Sequence, residues 1–365
     1  MVHRILILGG GFAGLYAARN LQRLMGKEAA IEVVNRENYF VFQPLLPEVA
    51  GGAISAVNAV SPLRFLTRKI FIRKAEVDSI NPEAHTVTVF QGVQRRPTVL
   101  EYDHLIIALG SGSDLSRTPG LNEHAFTMKT LSDARRLRAH VIERLEHADI
   151  TRLPEVKKGA LTFTVIGGGF SGIETVGEIK EVIDRSLRYY PNIKASEIRV
   201  VVLEFADRIL NEMPESLAAY AQSKLNQRGI EVQLGVGVAE ATGTQLVTTT
   251  GEVIETRTIV ATIGNTPPPV VATMPLTLKQ GRILVRRDFR ADGFEEFSLQ
   301  FKRIAGLAWR RARCCGSLWY QVDRSFGLAV MARLLHFVSP RYANPHLCAL
   351  ELADGRVFPP LSGSD

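Results

Sequence analysis

The chain has 365 residues, 46% apolar and 22% charged, a globular balance that excludes a disordered or fibrous protein and suits two compact domains. A net charge of +7 favours anionic cofactors or an anionic membrane face; with no lysine-rich tract or interleaved aromatic platform, nucleic acid is not expected as a partner. The three cysteines, Cys314, Cys315 and Cys348, lie late in the chain with no spaced metal ligands, so the reading excludes a disulfide framework and a metal site and places the chain in a reducing, cytoplasmic compartment.

The opening MVHRILILGGGFAG reads as a strand entering a glycine loop, not as a secretory signal peptide. No stretch reaches the roughly 18 uninterrupted apolar residues of a spanning helix. A strand is expected over residues 4–8, then a glycine turn, a helical pattern over 15–24 and a second strand over 30–34 ending at Asn35, which together make the first βαβ unit of a parallel sheet. Residues 70–90 alternate as antiparallel strands and hairpins, and 102–110 read as a buried strand closing on Gly110-Ser111-Gly112. Residues 132–146 alternate charge around an apolar stripe, as in a surface helix leading to a second domain. Residues 161–166 then repeat the opening pattern, with a glycine turn, a helix through Ile179 and a strand over 199–203. The two units start about 160 residues apart, too far for a short structural repeat, and read as two related domains. Residues 231–250 read as hairpins and 258–264 as a buried strand.

The first loop is Gly9-x-Gly11-x-x-Gly14. Its first glycine allows a tight turn, its second admits a pyrophosphate close to the backbone, and its third lets the helix pack near the strand. The second loop is Gly167-x-Gly169-x-x-Gly172, in the same strand–loop–helix context. A glycine turn without a ligand is the alternative for each. The second unit's strand ends at Glu204, whose carboxylate can accept from both ribose hydroxyls of NADH. An ordinary exposed strand-end acid is the alternative there. The long separation of Gly172 from Glu204 points to an inserted segment near 189–196, and Arg208 nearby leaves room for NADPH.

With NRENYFVFQPLLPEVAGG (35–52), YDHLIIALGS (102–111) and TIVATIGNTPPP (258–269), the double loop resembles the two-dinucleotide-fold oxidoreductases of the pyridine nucleotide-disulfide oxidoreductase superfamily. Within them the match is nearest to type II NADH dehydrogenases, the single-subunit NADH:quinone reductases, and it covers residues 1 to about 292. The resemblance implies an α/β fold with two Rossmann-like domains, the NADH domain inserted into a discontinuous FAD domain. The expected bounds are 1–125 for the first FAD part, 126–275 for the NADH domain, and 276–365 for an altered FAD-domain return and tail. It implies FAD on Gly9, Gly11, Gly14 and Asn35, with Arg36 compensating and Gly110 near the pyrophosphate. Gln43, Pro44 and Leu45 would lie along the flavin ring. NADH would lie on Gly167, Gly169, Gly172 and Glu204, with Glu174 at the nicotinamide and quinone region as a proton relay. Gly264 and Asn265 would form the turn back to the first domain. Glu178 shares a helix face with Glu174, and a solvated acidic face is its alternative.

The implied function is hydride transfer from NADH to FAD, then electron delivery to a quinone, by a protein peripheral on the inner face of the cell membrane and compatible with a homodimer. The alternatives are a soluble NADH-dependent flavin reductase serving a small redox protein, and a degraded NAD-binding chain without activity. No cysteine precedes Cys314, so the redox-active cysteine pair of disulfide reductases has no counterpart. Two departures stand out. Asn35 replaces the carboxylate that the family usually places at the FAD ribose. Beyond residues 283–285 no Gly-Asp pair follows, so FAD is expected to bind weakly. The segment around Lys302, Arg303, Trp309, Arg310, Arg311, Arg313, Trp319 and Tyr320 reads as an amphipathic basic stretch for anionic lipid, or as a tail without a role.

Overall fold

The computed structural model describes residues 2–286 and 289–291; the expectations for residues 294–365, including the basic aromatic stretch, lie outside them. The strand His3–Leu8 buries its last four side chains and runs parallel to Ala29–Asn35 on one side and His104–Ile107 on the other. Between the first two strands, helix Phe12–Met25 turns Leu15, Ala18, Leu21 and Met25 onto Ile5, Ile7, Ile31 and Val33, the one-sided stripe of a surface helix. The strand Phe71–Asn81 has two partners. Its first residues run parallel to Ala29–Asn35, and its later ones pair antiparallel with Thr86–Gln91, which pairs in turn with Arg96–Glu101. Alternation along 70–90 signalled the hairpin half of this sheet but not the parallel half.

The second sheet is parallel throughout, in the order Ala125–Phe126, Thr258–Ala261, Thr162–Ile166, Arg199–Glu204, Ile230–Leu234. Helix Leu131–Ile150 begins at a reciprocal cap: Thr130 Oγ1 accepts from the Asp133 N–H (3.1 Å), and the Asp133 carboxylate accepts from the Thr130 N–H (2.9 Å). Helix Phe170–Ser186 runs well past Ile179, and the short turns Leu187–Tyr189 and Ala195–Glu197 follow it. These account for the long approach to Glu204.

Two expectations need correcting. Ile230–Leu234 is the edge strand of the parallel sheet, and the hairpins begin later as the separate antiparallel sheet Val238–Ala241, Gln245–Thr248, Val253–Glu255. The apolar run 102–110 yields only the strand His104–Ile107, half-buried because it is outermost among the described strands of its sheet.

The chain leaves the first sheet and comes back to it. Asn265–Thr266 pairs antiparallel with Gly112–Ser113, and Met274, Leu276 and Ile283 then pack with Leu6, Leu8 and Val34. The second sheet is thus inserted within the first unit. The seam is apolar: Leu46, Val49 and Ala50 of the short helix Leu46–Gly51 share a core with Leu137, Val141, Ile173, Val176 and Ile179 of the second unit.

Candidate functional site

Each glycine loop leaves the end of a buried parallel strand. Gly9 and Gly167 both adopt φ +104°, a backbone region that favours glycine. Their N–H groups donate to Val34 and Leu203 carbonyls, both at 2.8 Å, which fixes each turn against the second strand of its unit. A Cβ on Gly14 would fall 1.8 Å from the Gly9 carbonyl oxygen, and one on Gly172 would fall 1.8 Å from that of Gly167. Among the described residues a Cβ on Gly11 or Gly169 would meet nothing within 4 Å. The outer glycines are thus needed by the fold, whereas the middle of each motif opens onto a bare helix N-terminus. Among the described residues, helices Phe12–Met25 and Phe170–Ser186 have no side-chain N-cap, so their first N–H groups face that opening and can receive an anion such as a pyrophosphate.

The strand-end side chains brace these loops. Asn35 Oδ1 accepts from the Gly10 N–H at 2.8 Å, and its amide nitrogen donates to the Glu37 carbonyl at 2.8 Å. In the second unit Glu204 Oε2 accepts from the Gly168 N–H, and its Oε1 accepts from the Ala206 N–H at 2.8 Å. A carboxylate offers about four lone-pair sites, so Glu204 can still accept from a ribose hydroxyl. Arg208 is tied to Asn211 by two bonds of 3.0 Å, and Arg36 is exposed.

A third group of residues lies where the two units meet. Gln43, Pro44 and Leu45 form the turn that enters helix Leu46–Gly51. The Gln43 side chain donates to the Lys129 carbonyl at 3.5 Å, and Lys129 Nζ donates to Asn265 Oδ1. Burial holds the Lys129 ammonium below its usual range. Gly110 and Ser111 line a cavity of about 320 Å³ together with Asn265, Thr266 and Arg282. Gly264, at φ +75°, sits so close to Asp114 that a Cβ would approach its carbonyl oxygen to 2.4 Å.

Glu174 is half-buried on helix Phe170–Ser186, but Glu178 is only 2% exposed, so the solvated-face reading of Glu178 is overturned. Its Oε2 lies against Gly51, where a Cβ would come within 1.7 Å, and has no hydrogen-bond partner among the described residues. Burial first, then the charges of Glu48 and Glu181, push its pKa up to about 7 against the opposing pull of Arg185 and Arg228. The structure therefore brings each loop together with its strand-end acceptor, and joins Gln43 to Asn265 through Lys129. Lys129 and Glu48 carry no signal in the sequence, because both matter through contacts between distant segments.

Two glycine loops of one geometry, each at the C-terminal ends of the parallel strands of its own sheet, define a double dinucleotide-fold protein of the α/β class. The chain belongs to the pyridine nucleotide-disulphide oxidoreductase family, whose model matches residues 3–293. It is 33% identical over 244 residues to the type II NADH:quinone oxidoreductase Ndh of Mycobacterium tuberculosis, covering 65% of this chain and 51% of that protein. It is 32% identical over 246 residues to the mitochondrial external alternative NAD(P)H-ubiquinone oxidoreductase B1 of Solanum tuberosum, covering 64% of this chain and 42% of that protein. The chain thus spans about half, or less, of the length of these relatives. NDH2 from Plasmodium falciparum in complex with NADH superposes with a TM-score of 0.72 at 21% identity, over 78% of this chain and 60% of that one, a likeness of fold.

Proposed function

We propose that the chain oxidises NADH through FAD and passes the electrons to a quinone. The observation that carries this reading is the repeated loop, open at Gly11 and at Gly169, in two sheets joined by an apolar seam. The names of the relatives supply the quinone. FAD is assigned to the first loop, with Gly9, Gly11, Gly14, Asn35, Arg36 and Gly110, and NADH to the second, with Gly167, Gly169, Gly172 and Glu204. Residues 1–125 and 126–275 are the corresponding domains. Flavin supplies a centre that takes a hydride from nicotinamide and releases electrons to a further acceptor.

The protein's own part is orientation. The loop N–H groups and helix N-termini hold the two pyrophosphates. Gln43, Pro44 and Leu45 wall the ring, kept in place because the helix that follows them is packed into the second unit's core. The seam would thereby hold a bound donor and acceptor at one separation, which is the entropic share of the rate. Reduction of a quinone consumes two protons, and Glu174 is assigned as the group that relays them. Because the acceptor resides in a bilayer, a peripheral position on the inner face of the cell membrane goes with this reading. Among the described residues no helix is long and apolar enough to cross a membrane.

The test is the visible spectrum of the purified chain after reconstitution with FAD, followed by anaerobic titration. NADH should bleach the bound flavin and a quinone should restore it. A chain that retains no flavin after reconstitution would sink the proposal. Reoxidation by soluble acceptors but not by quinone in liposomes would shift it to the reductase of a small redox protein.

A further inference from the structure

Between Glu48 and Glu76 the sequence holds five basic residues and no acidic one, and all five fall within residues 64–74. The same stretch exposes two phenylalanines, Phe65 at 68% and Phe71 at 58%. They flank one turn, which joins helix Leu63–Leu66 to the strand Phe71–Asn81. The turn is braced at both ends. Leu63 and Ile70 are anchored in the core of the first sheet, and the buried Thr67 closes the helix by donating its N–H (2.9 Å) and its hydroxyl (2.7 Å) to the Leu63 carbonyl. The Ile70 N–H donates to the Thr67 carbonyl at 3.1 Å, and the Arg64 guanidinium donates to the Ile72 carbonyl at 2.7 Å. Lys69 stands in the turn at φ +72°, a backbone region that would suit glycine better.

The cations divide into two groups. Arg64 holds the backbone, and Arg73 is paired with Glu32 while its guanidinium lies 5.3 Å from the centre of the Phe71 ring. Arg68 lies over the Phe65 ring at 5.8 Å. Among the described residues Arg68, Lys69 and Lys74 form no ion pair. Exposed rings lose free energy in water, and unpaired cations beside them draw negative charge. A bilayer with anionic headgroups answers both: the rings enter the boundary between headgroups and acyl chains while the cations reach the phosphates. Nucleic acid fits less well, because each ring already carries a guanidinium on the face where a base would stack. We propose that the turn between Phe65 and Phe71 is a docking surface for an anionic bilayer. The proposal rests on the reading of the chain as peripheral on a membrane, and it names the surface that makes the contact.

The experiment sediments the full chain with vesicles of phosphatidylcholine alone or mixed with phosphatidylglycerol. The wild-type chain should bind the mixed vesicles and release them as salt rises. Arg68→Gln combined with Lys69→Gln should weaken binding roughly twentyfold, since each cation near such a surface contributes about fivefold. Lys69→Gly separates charge from fold. It should bind about fivefold more weakly while its unfolding midpoint holds, because glycine suits φ +72°. Phe65→Ser should cost about tenfold, and by the same factor at low and intermediate salt. Oxidation of NADH by a soluble acceptor should be unchanged in all of them, since none alters a residue assigned to either nucleotide. Unchanged vesicle binding in the double variant overturns the docking surface. So does a wild-type chain that binds no anionic vesicle, or that prefers single-stranded DNA to one. Vesicle binding through this turn by a chain that reduces no quinone keeps the surface and removes the quinone reading. Quinone reduction by a chain whose vesicle binding ignores these variants does the reverse.

Discussion

At the end of the second strand of each unit, one side chain accepts the N–H of the residue after the motif's first glycine: Asn35 from Gly10 in the first, Glu204 from Gly168 in the second. The hydrogen bond is the same and the chemical group is not. An amide oxygen is sufficient to hold the loop, so the charge on Glu204 is not needed for its shape. What distinguishes the acid is the capacity left over. Asn35 has one N–H engaged on the Glu37 carbonyl and its oxygen on the Gly10 N–H, which leaves one N–H and one neutral lone pair, whereas Glu204 presents a charged group that favours free ribose hydroxyls and repels a 2′-phosphate. On the proposed assignment of NADH to the second loop, a strand-end residue thus has a structural task, which an amide can perform, and a ligand task, which calls for the charge.

The largest effects should come from breaking what the units share. Gly14→Ala and Gly172→Ala each force a Cβ onto a backbone oxygen at 1.8 Å, with no flexible side chain to yield. Each is expected to cost about 3 kcal/mol of stability, seen as a lowered midpoint in thermal or denaturant unfolding. Native stability in both would show that the helices can retreat from the loops.

Next in size, Gly11→Val and Gly169→Val should separate the sites while preserving the fold, because neither side chain meets protein within 4 Å of its Cβ. The first should abolish flavin retention and the second NADH binding. Both ligands lost from one variant, with the other silent, would argue against one nucleotide per loop.

Glu178 gives a pH dependence to the seam between the units. Its pKa rises from 4.5 to about 7 on folding, so the folded chain binds the extra proton. The stability linked to that proton is complete below pH 4.5 and is lost as pH rises through about 7, on the order of 3 kcal/mol. Glu178→Gln should flatten this loss in unfolding experiments between those limits. A wild-type profile that stays flat over the window would mean that Glu178 is ionised in place.

The smallest effects sharpen the comparison between Asn35 and Glu204. Glu204→Gln keeps the brace and removes the charge, and should weaken NADH by about tenfold with less effect on NADPH. Asn35→Asp should improve FAD retention on dialysis by a similar factor. Equal losses of the two nicotinamide cofactors would leave Glu204 with its structural task alone.

The glycine loops were legible because strand, turn and helix follow within one short stretch, with the glycines at a fixed spacing. Two strands misled for a common reason. Ile230–Leu234 lies at a sheet edge, where one side is half-solvated and the polar alternation of Glu231 and Gln233 imitates a hairpin. His104–Ile107 carries an apolar run typical of a central strand, yet it too is an edge among the described residues. An edge position is a property of the whole sheet, and no window of sequence contains it. The burial of Glu178 was hidden likewise. It depends on Gly51 having no side chain, on an element of the other unit.

The same contact governs what could be exchanged between such proteins. Gly51 receives Glu178, and Gly52, where a Cβ would lie 1.2 Å from the Arg138 guanidinium nitrogen, receives Arg138. The short helix Leu46–Gly51 and the glycine after it are therefore shaped as a mould for two helices encoded much later in the chain. A chimera that takes its central insert from a relative would meet its first incompatibility here, far from either crossover point. Residues 46–52 would have to travel with the insert, as one hereditary piece split across the sequence.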